Sequence, residues 1–382
     1  MDPPPALAEM QAVSPIGRVR LFRGDEAWVV TTYDECLRLL RLPSLSVDFQ
    51  SPGYPVVHAT HAEFAPGILT HIDPPDHDKY RRMLAAEFGV KRVGRLREQV
   101  TAVVHDLFDE TMAAGPGVDM MESLALPAPA LMICTLLGVP YEERDNFVRL
   151  AETFLGGQAS IEEARRANEG LRALLQSAIS SKREVSGDDL FSRVLHDYVD
   201  TGELEEETLI GMAEGVLIAG FHTTSSMIGL GTVALLENPD QFALLREDPE
   251  LVSAGVEELL RFLSVPHLGR HRATTEEIEV AGQVIPPGEG IILASNIANR
   301  DPAHFEDPNS LILSNGDKRT HQAFGSGIHQ CVGAALARLE LGIFFTALIE
   351  RMPNIKTVIP FDQLEFTHDS TVIGVHALPI AW

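Results

Sequence analysis

Cys331 stands on a glycine-rich loop, residues 324–333 (FGSGIHQCVG), directly ahead of a helix-forming run, AALARLELGIFF. A thiol at the mouth of a helix meets free backbone N–H groups and the positive end of the helix dipole, and both favour its anion. Gly325, Gly327 and Gly333 permit close backbone approach and positive φ angles. Such a sulfur could act as a nucleophile or as a metal ligand, and an inert cysteine beside a turn has the same local sequence. Two further pairs place polar groups one helical turn apart: His77 with Arg81 in HDKYR, and Glu258 with Arg261 in EELLR. Taken alone, Glu258 with Arg261 reads as an exposed helix ion pair worth about 0.3–0.5 kcal/mol, and His77 and Arg81 as solvated surface residues. His222 and Thr223, in AGFHTT, interrupt a long uncharged run.

The spacing of Phe324, Gly327, Cys331 and Gly333 is F-x-x-G-x-x-x-C-x-G. This loop resembles that of the cytochrome P450 haem-thiolate enzymes of the soluble bacterial kind. The resemblance implies haem b (iron protoporphyrin IX) as cofactor and Cys331 as its axial thiolate. Such a ligand pushes electron density to iron and favours O–O cleavage. Phe324, Gly325, His329 and Gly333 would then lie beside the cofactor. The other pairs acquire roles from the same resemblance. Glu258 and Arg261 match the family's buried E-x-x-R pair. A third partner, an arginine, often joins it from the segment that here reads DPNSLIL, where this chain has Asn309 and Ser310. His77 and Arg81 match H-x-x-x-R, which with Arg272 and His329 would meet the haem propionates. AGFHTT is similar to the family's A-G-x-(D/E)-T segment. Ala219 and Gly220 would cross the haem face, and Thr223 would hydrogen-bond dioxygen or a water. His222 takes the acid position, a departure from the pattern. A histidine titrates near neutrality and can still pass protons.

These residues need elements to hold them. Three- and four-residue apolar spacing predicts helices over 32–42, 77–88, 93–112 and 162–180. The run ETLIGMAEGVLIAGFHTTSSMIGLGTVALLEN predicts one long helix ended by Pro239, and PELVSAGVEELLRFL another. A hairpin is expected from VRLF and AWVVTT across RGDE, a β-pair in IEVAGQVIPPGEGIILAS, and a third pair in LEFTHDSTVIGVHALPI. The expected fold class is mainly α with small β-sheets, the P450-like triangular fold, as a single domain over 1–382. Its β-rich part spans about 16–70 and its helical part about 71–350. The resemblance covers nearly the whole chain, including NRDP at 299–302.

The chain has 382 residues, 45% of them hydrophobic, ample for a large core. Its formal net charge of −25 argues against nucleic acid or an anionic membrane as partner. Residues 215–236 are long enough to span a bilayer. The polar centre at 222–226 favours a buried helix instead. MDPPPALAEM lacks the basic and apolar parts of a signal peptide. Cys36, Cys134 and Cys331 form no CxxC pair, which fits a reducing, cytoplasmic setting.

Neither a dinucleotide fingerprint nor a four-cysteine cluster is present, so electrons must come from outside or be bypassed by peroxide. Residues 79–97 hold Lys79, Arg81, Arg82, Lys91, Arg92, Arg95 and Arg97 against one acid, Glu87. With Arg338, they form a candidate docking face for an acidic ferredoxin. Substrate contacts are expected from 43–70, 152–183 and two further stretches. Leu69, Val216, Val265 and Leu268 would line a mainly apolar pocket, with His267 as a polar contact. The leading expectation is a monooxygenase that uses O2 on an apolar small molecule of specialised metabolism. The alternative keeps the haem thiolate but performs oxidative coupling, ring closure, nitration or a peroxide-driven step. A non-catalytic haem sensor is the third reading, and Thr223 argues against it.

Overall fold

The uncharged run folds as one helix, Glu206–Glu237. By length and composition it could cross a membrane, yet 67% of its most apolar stretch is buried inside the protein. It is apolar nearly all round because other helices surround it. Pro239 ends it and opens the next helix, Pro239–Glu247, where a missing N–H costs nothing. The computed structural model describes residues 2–21, 24–57, 66–155, 159–318, 320–367 and 371–382. Residues 58–65 of the expected substrate loop lie outside the described residues. So do 156–158 of the 152–183 region, residue 23 of the RGDE turn, and 368–370 near the C-terminus.

Most helices fall where the periodicity places them: Tyr33–Leu39, Asp76–Ala85, Ile161–Glu184 and Val252–Leu263. Ser160 and Glu163 cap the third reciprocally. The expected helix over 93–112 is in fact two, Val90–Arg95 and Arg97–Ala114, meeting at Leu96. The main core forms where these helices pack around the long one.

The expected hairpin is β1 (Ile16–Arg20) against β2 (Glu26–Val30). Next come β3 (Leu45–Ser46), β4 (Arg270–Thr274), β5 (Ile278–Val280), β6 (Gln283–Ile285) and β7 (Gly290–Leu293). The expected β-pair over 278–295 is corrected. β5 and β6 pair with each other, but β7 leaves to join a five-stranded sheet of order β1-β2-β7-β4-β3. All four residues of β7 are buried, so it needs a strand on each side and cover on each face. β4 carries no apolar alternation and was not expected as a strand. At the C-terminus, β8 (Lys356–Thr357) pairs with β9 (Ile380–Ala381), and a single bridge joins Phe366 to Val375.

Candidate active site

The cysteine loop is bent by its own backbone. Gly325 N–H donates to Gln322 O (2.9 Å) and Cys331 N–H to Phe324 O (2.9 Å). Gly325 and Gly327 take φ of 68° and 74°, which side chains rarely adopt. A Cβ at Gly327 would also lie 2.5 Å from Leu40 O, so glycine is required there twice over. The loop delivers Cys331 to the start of helix Ala334–Arg351.

Cys331 is solvent accessible, yet it sits deep enough for burial to dominate its titration. Burial raises the thiol pKa, while Gly333 N–H, Arg270, Arg81 and Arg338 act in the opposite direction and do not prevail. The helix terminus alone therefore does not produce the expected anion. A catalytic nucleophile needs a lowered pKa. A metal ion at the sulfur displaces the proton outright. The arrangement fits a metal ligand better than a free nucleophile.

Four expected cofactor contacts converge. His77 is fully buried and packs its ring 4.2 Å from that of His329. Its Nδ1 bonds Asp78 (2.9 Å), and its Nε2 has no hydrogen-bond partner among the described residues. Arg81 donates to Gln330 O (2.7 Å), one residue before the cysteine. Burial, then the charges of Arg272 and His77, push His329 down to about 3, against Asp73, so its ring stays neutral at neutral pH. Arg272, on β4, is 8% exposed. Burial and then Arg270 push it down to about 10, which leaves it cationic. Neither Arg81 nor Arg272 makes an ion pair among the described residues. A buried cation with no ion-pair partner, as Arg272 is, calls for an anionic ligand. Haem b, with two carboxylates and an iron, suits both this donor set and the nearby sulfur.

Glu258 and Arg261 are 0% and 1% exposed and form a two-bond pair at 2.8 Å each. Arg261 also donates to Asn299 O, Pro308 O and Ser310 O. Glu258 accepts from Ile312 N–H (3.1 Å). Backbone groups of 308–312 thus take the place of a third side chain. Asn309 instead accepts from Arg300 (3.1 Å).

On the long helix, Val216, Ala219 and Thr223 share one face. Ala219 is exposed and the other two are half-buried, although the helix around them is mostly core. Thr223 Oγ1 donates to Ala219 O (2.7 Å). Gly220 turns toward Ile133, where a Cβ would come within 3.1 Å, so it serves close helix packing. His222 is half-buried, with its ring edge-on to Phe221 at 5.5 Å. Leu69 lies in the turn Leu69–His71, and the adjacent Ile68 touches the long helix at Gly215. Val265 is buried in the core at 4%. His267 and Leu268 are half-buried, and the His267 carbonyl accepts from Asn296 (2.9 Å). A surface cleft of about 680 Å³, lined by Val103, Glu122, Arg144 and Glu152 among others, involves none of these residues.

The basic stretch is corrected in one respect. Arg92 is bonded to Asp188 (2.7 Å) and lies 3.6 Å from Glu87, with its side chain 14% exposed, so it is structural. Arg338 pairs with Glu257 (2.5 Å) and lies over the Phe324 ring at 4.5 Å. Arg82, Lys91, Arg95 and Arg97 are exposed and form no ion pair among the described residues. Arg270 was missed. Its signal was the R-x-R alternation at 270–272, which points both side chains to one face once the segment is a strand.

A family model described as Cytochrome P450 matches residues 158–355. A vitamin D3 dihydroxylase of Streptomyces griseolus is 40% identical, covering 96% of this chain and 91% of the relative. A pentalenic acid synthase of Streptomyces avermitilis is 39% identical, covering 100% and 94%. The crystal structure of cytochrome P450 MoxA from Nonomuraea recticatena superposes with a TM-score of 0.95 at 37% identity, covering 100% of this chain and 95% of that one. The thiol loop, the buried cations and full-length likeness agree: the chain belongs to the cytochrome P450 family, the haem b monooxygenases.

Proposed function

We propose that this P450 oxidises an apolar specialised-metabolite scaffold at the face formed by Val216, Ala219 and Thr223. The observation that carries the reading is the accessible Cys331 close to Arg81 and Arg272, which form no ion pair among the described residues. Haem held there with Cys331 as thiolate ligand supplies oxygen activation. His77, Arg81, Arg272 and His329 orient the cofactor through its carboxylates. Thr223 Oγ1–H donates its hydrogen bond to Ala219 O, so the oxygen lone pairs are free to accept from a water. His222, one residue away, passes protons through its ring. Leu69, Val216 and Leu268 exclude water and His267 orients the substrate. The relatives' names, a vitamin D3 dihydroxylase and a pentalenic acid synthase, support oxidation of a small-molecule scaffold.

His222→Ala tests the relay. Coupling of reductant to product should fall by about a hundredfold, the scale of a lost acid–base group. Unchanged product yield and coupling would remove His222 from the relay. His222 is also the one observation that favours an atypical reaction. In that case the wild-type protein would form product from peroxide without any reductant.

The electron donor is an acidic ferredoxin that docks on Arg82, Lys91, Arg95 and Arg97. Phe88, in the turn between two of their helices, lies 4.0 Å from the Cβ position of Gly333 on the cysteine loop. Val90, 81% exposed, sits among them as an apolar contact. Arg95→Glu should slow reduction about tenfold at low salt, with the difference fading at high salt. Reduction insensitive to both salt and Arg95→Glu would exclude this face.

A further inference from the structure

β4 carries two arginines, Arg270 and Arg272, whose side chains share one face of the strand. Arg272 belongs with His77, Arg81 and His329, since the charges of Arg272, His77 and Arg81 all act on His329. Arg270 lies against the cysteine loop. Its Nη2 donates to Ala323 O (2.6 Å). A Cβ at Gly325 would come within 3.2 Å of its Nε. That Nε is buried and has no hydrogen-bond partner among the described residues. Arg270 makes no ion pair among them either, and its charge acts on both Arg272 and Cys331. The two guanidinium groups therefore act on each other as like charges, and neither forms an ion pair among the described residues. Such an arrangement is costly without a bound anion. The contacts named above leave the Arg270 Nε–H unmet. Haem b brings two carboxylates.

We propose that Arg270 donates from Nε to the second haem carboxylate, with Arg272 standing between the two carboxylate subsites. The proposal rests on the haem reading above. Arg270 would thus help hold the cofactor and, as a cation beside it, favour the reduced iron.

The test uses holoprotein. Haem transfer to excess apomyoglobin and the reduction potential are measured for the wild type, Arg270→Met and Arg270→Lys. Arg270→Met should release haem on the order of tenfold to a hundredfold faster, the scale of one charge-assisted hydrogen bond. Its potential should move to more negative values, and lysine should restore most of both effects. The same proteins loaded with haem dimethyl ester complete a double-mutant cycle, in which Arg270→Met should cost little. If Arg270→Met does not fold, Arg270→Gln, which keeps a donor for Ala323 O, takes its place. Release and potential equal to wild type would overturn the proposal. So would an equal loss with the ester, which would make Arg270 only a tie between β4 and the loop. A wild type without a thiolate-type spectrum would instead overturn the haem reading itself.

Discussion

Cys331→Ser reduces oxygen-dependent turnover to background while leaving much of the haem bound. A serine oxygen in that position stays protonated and cannot supply the electron density that a thiolate gives to iron. The loss should exceed the roughly 10–100-fold that second-shell changes around a metal ligand cost. Haem retention follows from the layout of the site. In the proposed site His77, Arg81, Arg272 and His329 would hold the cofactor through its carboxylates, without a bond to the sulfur. Haem content by pyridine haemochromogen and product formation, measured on one preparation, check both halves. Turnover near wild type would show that the sulfur is not the ligand that matters.

Arg261→Met destabilises the protein by about 3–5 kcal/mol and empties it of haem. The change leaves Glu258 as a buried carboxylate with one backbone partner, Ile312 N–H. It also strips the donor from the carbonyls of Asn299, Pro308 and Ser310. Asn299 transmits the damage. Its side chain accepts from Gln322 N–H (2.8 Å) and donates to Ser264 (2.7 Å), so the same cluster anchors the start of the cysteine loop. Arg261→Lys should not rescue, because one ammonium cannot replace a planar fork bonded to five oxygens. Adding Glu258→Gln to Arg261→Met should recover part of the loss, because the stranded charge is then gone. Denaturant unfolding of the single and double variants measures this. A single variant within 1 kcal/mol of wild type, on the roughly 1 kcal/mol scale of an ordinary substitution, would contradict it.

Much of this site could be read in the sequence because its residues sit on periodic elements. His77 with Arg81, and Glu258 with Arg261, lie one turn apart, and the helices that carry them follow from apolar spacing. The cysteine loop was legible because left-handed turns demand glycine at 325 and 327. Long-range partners were not legible. Arg92 looked like a free cation in a basic run, but its partner Asp188 is 96 residues away. The segments 290–293 and 270–274 look like a local pair and an irregular lead-in. Their pairing is set by β2, far back in the chain. Arg270 was overlooked for the same reason, since charged residues give no strand signal until a neighbour makes the strand. The helix-terminus argument for a cysteine anion failed on burial, which no local pattern reports.

Every assignment above depends on Cys331 binding haem iron as a thiolate. The absorption spectrum of dithionite-reduced protein under carbon monoxide reports that bond. The expected result is the strongly red-shifted Soret band of a thiolate-ligated haem, absent from Cys331→Ser. A band at the ordinary position in the wild type, or the same spectrum in both proteins, would contradict the account.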